Sequence, residues 1–198
     1  MQIAAAWQNW LLIAALGLAG CQMGPPVQTA DSTILRPYVT LSPGSLGHNL
    51  SLTQIVTADY DGQNYSMRFE VEVGPTRLVT VGLSHMGIPL FSLEQDGNGL
   101  HLETFGNEQM PFDPRHILSD FQLAHWPAAT LAQTLAERHL RLEDDAVRST
   151  RRLFSEKGDL LVEITYLVRT PSLAETLIQH FDHPYSLRIK TIQMKETS

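Results

Sequence analysis

A regular alternation of polar and apolar side chains constrains the fold of this chain more than any other feature. From Ser66 to Val73 every second residue is apolar, and the residues between them are polar or charged. A period of two is that of a β-strand with one face buried and the other in water. The turn residues Asp61-Gly62 precede this segment and Gly74-Pro75 follow it, which predicts an antiparallel meander of three strands. These strands are expected at Ser51–Thr57, Tyr65–Val73 and Arg77–Leu83.

The same kind of alternation predicts further strands later in the chain. One hairpin is indicated by the turn residues Asp96-Gly97-Asn98-Gly99, which are typical of a tight connection between two strands. The additional strands are expected at Pro89–Leu93, Leu100–Thr104, Leu140–Glu143, Arg151–Phe154, Leu160–Tyr166 and Tyr185–Lys190.

Three helices are expected among the strands. Asp113 can cap the first, with Pro114 at its first position, and Pro127 would end it and start the second. A capping box at Ser172–Glu175 predicts the third. Their apolar faces would consist of Ile117, Leu118, Phe121 and Ala124, then Ala128, Leu131 and Leu135, then Leu173, Leu177, Ile178 and Phe181. This order of elements predicts a β-rich α+β fold.

The N-terminal residues have the layout of an exported protein. Trp10–Leu18 is a short apolar segment closed by small residues, as in a secretory signal, and is shorter than the ~20 residues of a membrane span. Leu18-Ala19-Gly20-Cys21 contains the only cysteine and resembles the lipobox of bacterial lipoproteins. The resemblance implies that residues 1–20 are removed and that Cys21 is lipidated. Gln22 follows it instead of the Asp typical of inner-membrane retention, which implies the outer membrane, facing the periplasm.

Composition sets the remaining bounds. Residues 21–36 are polar and rich in Pro and Gly, which predicts a flexible tether, and residues 37–198 are of a length for one domain. The net charge of −7 argues against a nucleic-acid partner. The basic residues Arg148, Arg151 and Arg152 follow Glu143–Asp145, so we expect a solvated, self-compensating surface. With Cys21 lipidated, no thiol remains for a disulfide, a metal site or catalysis.

The eight histidines do not form a legible catalytic or metal site. Asp120 and His125 are five residues apart and would point in different directions on a helix. Gly44-Ser45-Leu46-Gly47 lacks the pattern of a nucleophile elbow. His180 and His183 have an H-x-x-H spacing at the end of the third predicted helix, but no third ligand is apparent. We therefore expect no enzyme, no cofactor and no metal.

Two segments resemble a family of bacterial lipoproteins of unassigned function, which are often encoded beside aryl-polyene biosynthesis genes. The closing His183–Thr191 is similar to the family's last strand. The family's Leu-x-Asp-x-Gln-Leu-x-x-Trp-Pro core matches Leu118, Asp120, Gln122, Leu123, Trp126 and Pro127. The resemblance implies the fold of LolA and LolB, the periplasmic lipoprotein carrier and its outer-membrane receptor. That fold is a half-barrel, a curved antiparallel sheet around helices with an apolar cavity for acyl chains.

Two apolar faces are candidates for the walls of such a cavity. The sheet would contribute Met67, Phe69, Val71 and Met86, where Met suits flexible apolar ligands, and the helices Leu118, Phe121 and Trp126. Met86 precedes Gly87 in a loop that could gate the mouth. A filled core with Trp126 as a plug is an equally open interpretation.

The resemblance implies an outer-membrane lipoprotein that binds a hydrophobic acyl or polyene-lipid group and aids its delivery or insertion. A LolA-like carrier would then be a candidate partner, together with the membrane reached through the N-terminal lipid. One alternative is an assembly or scaffold lipoprotein with a filled core that docks another envelope protein. A second is a hydrolase or acyltransferase, for which no triad is legible. A cavity of several hundred Å³ would distinguish the first function from the docking alternative.

Overall fold

Ten strands form in the computed structural model, which describes residues 39–60, 62–106, 113–170 and 173–197. The strands are β1 Asn49–Tyr60, β2 Gln63–Val73, β3 Leu78–Leu83, β4 Pro89–Asp96, β5 Gly99–Thr104, β6 Arg141–Asp145, β7 Thr150–Phe154, β8 Leu160–Thr170, β9 Leu173–His180 and β10 Tyr185–Thr197. The helices are α1 Pro114–His125, α2 Ala128–Ala136 and a short 3-10 helix, Pro43–Leu46.

The N-terminal predictions concern residues that the structure does not describe. The expected signal peptide, the lipid-attachment residue Cys21 and the tether lie outside the described residues. Within the described ranges, no helix is long and apolar enough to cross a membrane.

The strand predicted by the alternation is confirmed as β2. It pairs antiparallel with β1 on one side and β3 on the other, as expected for a meander. The side chains that face the core are Met67, Phe69, Val71 and Val73. The other predicted strands and the first two helices are also confirmed, with bounds that differ by a few residues.

The third predicted helix is wrong, because Leu173–His180 forms strand β9. β9 lies between β8 and β10 and pairs antiparallel with both. Glu175, the acidic residue of the predicted capping box, instead accepts a hydrogen bond from Arg188 on β10 at 2.6 Å. Pairing on both sides satisfies the backbone groups of the segment, and this tertiary gain outweighs a local helix signal.

The strands form one antiparallel sheet in the order β5-β4-β3-β2-β1-β10-β9-β8-β7-β6. Gln122 on α1 bonds Gln95 on β4, whereas the carbonyl of the next residue, Leu123, accepts from Arg151 on β7. In a flat sheet β4 and β7 would be seven strand spacings apart, or ~34 Å. Adjacent helical residues cannot bridge that distance, so the sheet curves around α1. This curved, unclosed sheet with two helices confirms the β-rich α+β prediction and is consistent with the expected half-barrel.

The residues before β1 also pack against α1. We call Val39–Gly47 the strap. The backbone N–H of Val39 donates to Ser119 Oγ at 3.2 Å, and that of Leu41 donates to Gln122 Oε1 at 2.8 Å. The strap thus runs in the same direction as α1, and the chain enters it from the side of the N-terminus of α1.

The sheet has two ends, which we call end A and end B. End A carries the β1–β2, β3–β4 and β9–β10 connections, because Tyr60 pairs with Tyr185 and Arg68 pairs with Leu83 just before the β3–β4 turn. End B carries the β2–β3 and β6–β7 turns. The N-terminus of α1 lies at end A, where Ile117 and Tyr185 line the same cavity.

Candidate functional site

A small apolar cavity lies at end A between the sheet and the first turns of α1. Its volume is about 10 Å³, comparable to the space needed for a single water molecule. This volume is far below the several hundred Å³ expected for an acyl-binding half-barrel. A larger pocket of about 440 Å³ lies at end B, where charged side chains such as Glu72, Arg77 and Lys195 line it. The residues that line the apolar cavity at end A are Val56, Ala58, Tyr65, Met67, Phe69, Ile117, Tyr185 and Leu187.

The wall of this cavity is hydrocarbon in character. Its two hydroxyl groups are directed to partners outside the lining: Tyr65 Oη donates to Gln63 Oε1 at 2.6 Å, and Tyr185 Oη donates to Asp120 Oδ2 at 3.1 Å. The remaining lining side chains are aliphatic, aromatic or Met. A ligand group that enters here is expected to be apolar, because a buried polar group without a partner is costly.

Of the seven residues that the sequence predicts as cavity walls, two line the cavity in the structure. Met67 and Phe69 line the cavity. Val71, Leu118, Phe121 and Trp126 are buried in the core but do not line it. Met86 is 87% exposed in the β3–β4 turn and is not among the residues that line the cavity.

Sequence reasoning missed the other six lining residues, among them Ala58 and Ile117. Ala58 lies beyond the predicted end of the first strand, because β1 extends to Tyr60. Ile117 was assigned to the apolar face of α1, but only the tertiary placement of the helix shows that it faces end A. The continuing alternation of β1 was the signal that could have identified Ala58.

Trp126 plugs the core at the end of α1. Its side chain is fully buried, and its Nε1 donates to Ser45 Oγ in the strap at 2.8 Å. Its ring meets Phe121 edge to face, with 5.9 Å between centroids. These contacts agree with the structural interpretation of Trp126, and Pro127 is the N-cap of α2.

Four of the eight large apolar side chains that are exposed among the described residues lie at end A. Met86 and Ile88 occupy the β3–β4 turn, and the N–H of Phe105 bonds the carbonyl of Leu90 beside that turn. Phe181, which was expected inside a helix stripe, follows β9 and is 55% exposed. We call these four residues the apolar rim: Met86, Ile88, Phe105 and Phe181.

A buried polar cluster ties α1 to the sheet next to the cavity. Asp120 Oδ1 lies 3.0 Å from His180 Nε2, and Asp120 Oδ2 accepts the hydrogen bond from Tyr185. All three side chains are buried, and Asp120 is 2% exposed. We call Asp120, His180 and Tyr185 the Asp120 cluster. His180 ends a strand and not a helix, which corrects the environment expected for the H-x-x-H spacing.

The electrostatics of the cluster follow from its burial. Burial lowers the pKa of His180, but Asp120 and Asp182 together raise it by more, so that the net shift is upward. Burial and the Asp120 carboxylate raise the pKa of Tyr185 well above its ordinary value. Both shifts favour the protonated forms of these two partners of Asp120.

Arg151 ties the C-terminal end of α1 to the sheet. Its Nη1 donates to the carbonyls of Leu123 and Trp126 at 2.6 and 2.9 Å, and its Nη2 donates to Asp144 at 2.8 Å. A cation at a helix C-terminus satisfies free carbonyls and interacts favourably with the helix dipole. The expectation that Arg151 belongs to a solvated surface is therefore wrong, although Arg148 is exposed as expected.

The described residues include no group of three or more His, Cys, Asp or Glu side chains arranged to hold a metal ion. His125, the other histidine considered from sequence, ends α1 and stacks on Phe121 with 4.5 Å between ring centroids. Among the described residues, the hydrogen-bond partners of Asp120 are His180 and Tyr185, not His125.

Comparison with known proteins places this curved sheet around a central helix in a family. Residues 51–193 match the family described as "Protein of unknown function (DUF3261)", and the chain belongs to that family. No curated protein matches the sequence significantly.

Among solved structures, the chain is similar to a LolA superfamily protein from Nitrosomonas europaea. The TM-score is 0.43 with 8% identity, over 81% of this chain and 95% of that one. It is also similar to a putative outer membrane lipoprotein-sorting protein domain from Vibrio parahaemolyticus, with a TM-score of 0.41 and 9% identity over 76% and 86%. A DUF1329 family protein from Desulfovibrio piger gives a TM-score of 0.41 and 6% identity over 74% and 85%.

Proposed function

We propose that this protein is an outer-membrane lipoprotein, anchored through Cys21 and facing the periplasm, that binds a hydrophobic acyl or polyene-lipid group and aids its delivery or insertion. The observation that carries the proposal is that the apolar cavity and the apolar rim lie at the same end of the sheet. A ligand that leaves a membrane or a LolA-like carrier would meet the rim first and the cavity next. The proposed function is one of binding and involves no reaction.

The chemistry of the wall defines which part of the ligand enters. Met67, Phe69 and Ile117 offer hydrocarbon surface, and each Å² of apolar ligand surface removed from water contributes ~25 cal/mol. A charged or hydrogen-bonding headgroup would find no partner in this lining and would remain at the rim. Entry is therefore expected to begin with the hydrocarbon end.

The position of the strap agrees with an anchored half-barrel. The strap enters the fold from the side of the N-terminus of α1, and this is end A. The described part of the chain thus begins, at Val39, on the side of the fold that carries the rim.

A second candidate function is supported by the small cavity volume. An apolar cavity of only about 10 Å³ favours the alternative in which the lipoprotein docks another envelope protein through its surface. In that case the apolar rim would contact a protein, and the cavity would be a packing defect.

A titration with a fluorescent fatty acid distinguishes lipid binding from docking of another envelope protein. The domain from residue 37 is suitable, since the described residues belong to one compact unit, Leu35–Ser198. We expect saturable binding at micromolar concentrations. Phe69→Glu should abolish it, because the charge would be buried without a partner, whereas Phe69→Leu keeps the wall apolar and should retain it.

The rim is tested by transfer of the same fatty acid from vesicles. The double variant Met86→Ser/Ile88→Ser should slow transfer to the domain. Val147→Ser is the matched control, because Val147 is 96% exposed but lies in the β6–β7 turn at end B. Absence of saturation in the wild-type domain would favour the docking alternative.

A further inference from the structure

We propose that Asp120 is a latch that holds the N-terminal half of α1 over the apolar cavity, and that the cavity enlarges when its bonds to His180 and Tyr185 break. The ligand in this inference rests on the proposed function. The movement itself does not, because it can be measured without a ligand.

The two halves of α1 are attached unequally to the rest of the fold. In the C-terminal half, Gln122 bonds the strap and β4, and Arg151 bonds two carbonyls. Tyr166 on β8 donates to the carbonyl of Ala124 at 2.7 Å, and Trp126 bonds the strap. This half is therefore tied to the strap and to strands near both edges of the sheet.

The N-terminal half of α1 has fewer such ties among the described residues. They are the hydrogen bond that Ser119 accepts from Val39 and the two bonds of Asp120. Ile117 lies three residues before Asp120, so the two side chains project from the same side of the helix. Asp120 thus holds the segment whose Ile117 closes the cavity, and a pivot near Gln122 would open it.

Tyr185 links the latch directly to the cavity. Its ring lines the cavity, and its hydroxyl donates to Asp120. The same side chain therefore forms part of the wall and part of the tie. When this hydrogen bond breaks, Ile117 on the helix and Tyr185 on the sheet can move apart, and the cavity between them widens.

The burial of Asp120 makes the latch a two-state element. A buried carboxylate is stable only when donors surround it, and removal of a donor leaves it with an uncompensated desolvation cost. Asp120 therefore has two favourable environments: bonded to His180 and Tyr185 in the closed arrangement, or in water when the helix moves away. At intermediate displacements of the helix, Asp120 has neither its protein donors nor full contact with water.

The groups around His180 determine the direction of the pH dependence. Asp120 and His116 face it from α1, Asp182 and His183 from the β9–β10 connection, and Tyr185 from β10. Because its pKa is raised in the closed arrangement, protonated His180 stabilises closure, and closure weakens as pH rises through that pKa. Burial lowers the pKa of His116, so protonation of His116 acts in the opposite direction.

The test compares two tyrosines that both line the cavity. Tyr185→Phe removes the bond to Asp120 and keeps the ring, whereas Tyr65→Phe removes a hydroxyl that bonds Gln63 and leaves α1 untouched. In the domain from residue 37, which has no native cysteine, Ile117→Cys reports opening through its rate of labelling by a maleimide. Leu123→Cys, buried in the other half of α1, reports global unfolding.

Tyr185→Phe should accelerate labelling of Ile117→Cys about tenfold, the factor expected for one hydrogen bond to a charged group. Labelling at position 117 should remain faster than labelling at position 123, because only global unfolding exposes Leu123→Cys. Tyr65→Phe should change neither. The uncharged probe diphenylhexatriene should bind about tenfold more tightly to Tyr185→Phe, because the open state is more populated. Its binding to the wild type should tighten from pH 6 to pH 8, and His180→Gln should flatten this dependence.

Asp120→Asn provides a second variant, which should also accelerate labelling at position 117. Equal labelling rates in Tyr185→Phe and Tyr65→Phe would overturn the latch. Equal labelling rates at positions 117 and 123 would also overturn it, because position 117 would then be exposed only by global unfolding. If labelling at position 117 accelerates but diphenylhexatriene binds to no variant, the latch stands and the proposed ligand-binding function fails.

Discussion

Gln122 binds both backbone groups of Leu41, a residue 81 positions earlier in the chain. Its Oε1 accepts from the N–H of Leu41 at 2.8 Å, and its Nε2 donates to the carbonyl of Leu41 at 2.9 Å. Gln95 on β4 donates to the same carbonyl and accepts from Gln122. The side-chain amide of Gln122 thus bonds the backbone of the strap as a neighbouring strand would. It joins strap, helix and sheet in a single network.

The first prediction concerns this network. Gln122→Ala should lower the free energy of unfolding by about 3 kcal/mol, because the buried N–H of Leu41 and Oε1 of Gln95 lose their partners and the carbonyl of Leu41 keeps only the bond from Gln95. Urea denaturation of the domain from residue 37 measures the change. Gln133→Ala on the exposed face of α2 is the control and should stay within about 0.5 kcal/mol. A Gln122→Ala midpoint equal to the wild type would contradict the prediction.

The strands were predictable from sequence where their signal is local. The burial of Met67 and Phe69 follows from a period of two within a few residues, bounded by turn residues. The N-cap of α1 is equally local, because Asp113 Oδ1 accepts from the N–H of Arg115 at 3.0 Å, two residues away. Such features depend on neighbours in the chain and need no knowledge of strand order.

The Asp120 cluster was not predictable for the opposite reason. Asp120 and His180 are 60 residues apart, and they meet because β9 and β10 pair beside β1, opposite α1. The helix predicted for residues 173–181 would have removed His180 from this position. In the sequence, Asp120 is one of several polar residues on α1, beside Ser119 and Gln122, so no local signal identifies its partner.

The second prediction concerns a glycine between two aromatic rings. A Cβ at Gly82 would lie 2.1 Å from Cε1 of Phe91, whose ring is fully buried and meets Phe69 edge to face at 5.7 Å. Gly82→Ala should therefore displace Phe91 and cost about 1–3 kcal/mol. The double variant Gly82→Ala/Phe91→Leu should cost less than the sum of the two single changes. Additive changes in a double-mutant cycle would show that Gly82 and Phe91 are not coupled.

The third prediction concerns the proposed anchor. Cys21→Ser should abolish lipid attachment and normal processing of the full chain, because the thiol is the group that is alkylated. Each buried methylene contributes ~0.8 kcal/mol to membrane attachment, so the wild type should remain in the membrane fraction and the variant should not. Metabolic labelling with palmitate measures the attachment, and a wild type without label would refute the anchor.

The fourth prediction concerns the cation at the end of α1. Arg151→Met should lower the free energy of unfolding by about 3 kcal/mol, because the carbonyls of Leu123 and Trp126 lose a buried donor. Arg148→Met, an exposed neighbour that pairs with Asp145, should change stability by less than about 0.5 kcal/mol. The comparison is made by urea denaturation, and similar effects of the two substitutions would exclude a special role for Arg151.

The last prediction concerns pH and follows from His125. Burial, with smaller contributions from Arg151 and His48, lowers the pKa of His125 to about 4. The unfolded chain therefore binds a proton near pH 6.5 that the folded chain takes up only near pH 4. Stability from this group is fully present above pH 6.5 and is lost as pH falls toward 4.

The loss should amount to about 2 kcal/mol between pH 7 and pH 4.5. His125→Gln has no group that titrates in this range, so its stability should fall less over the same interval. Carboxylates such as Asp113, whose pKa is lowered mainly by its bonds to Arg115 against the effect of burial, also destabilise the fold in acid. They are present in both proteins and cancel in the comparison. Urea midpoints at pH 4.5, 6 and 7.5 measure the difference, and parallel curves would show that His125 is not the titrating group.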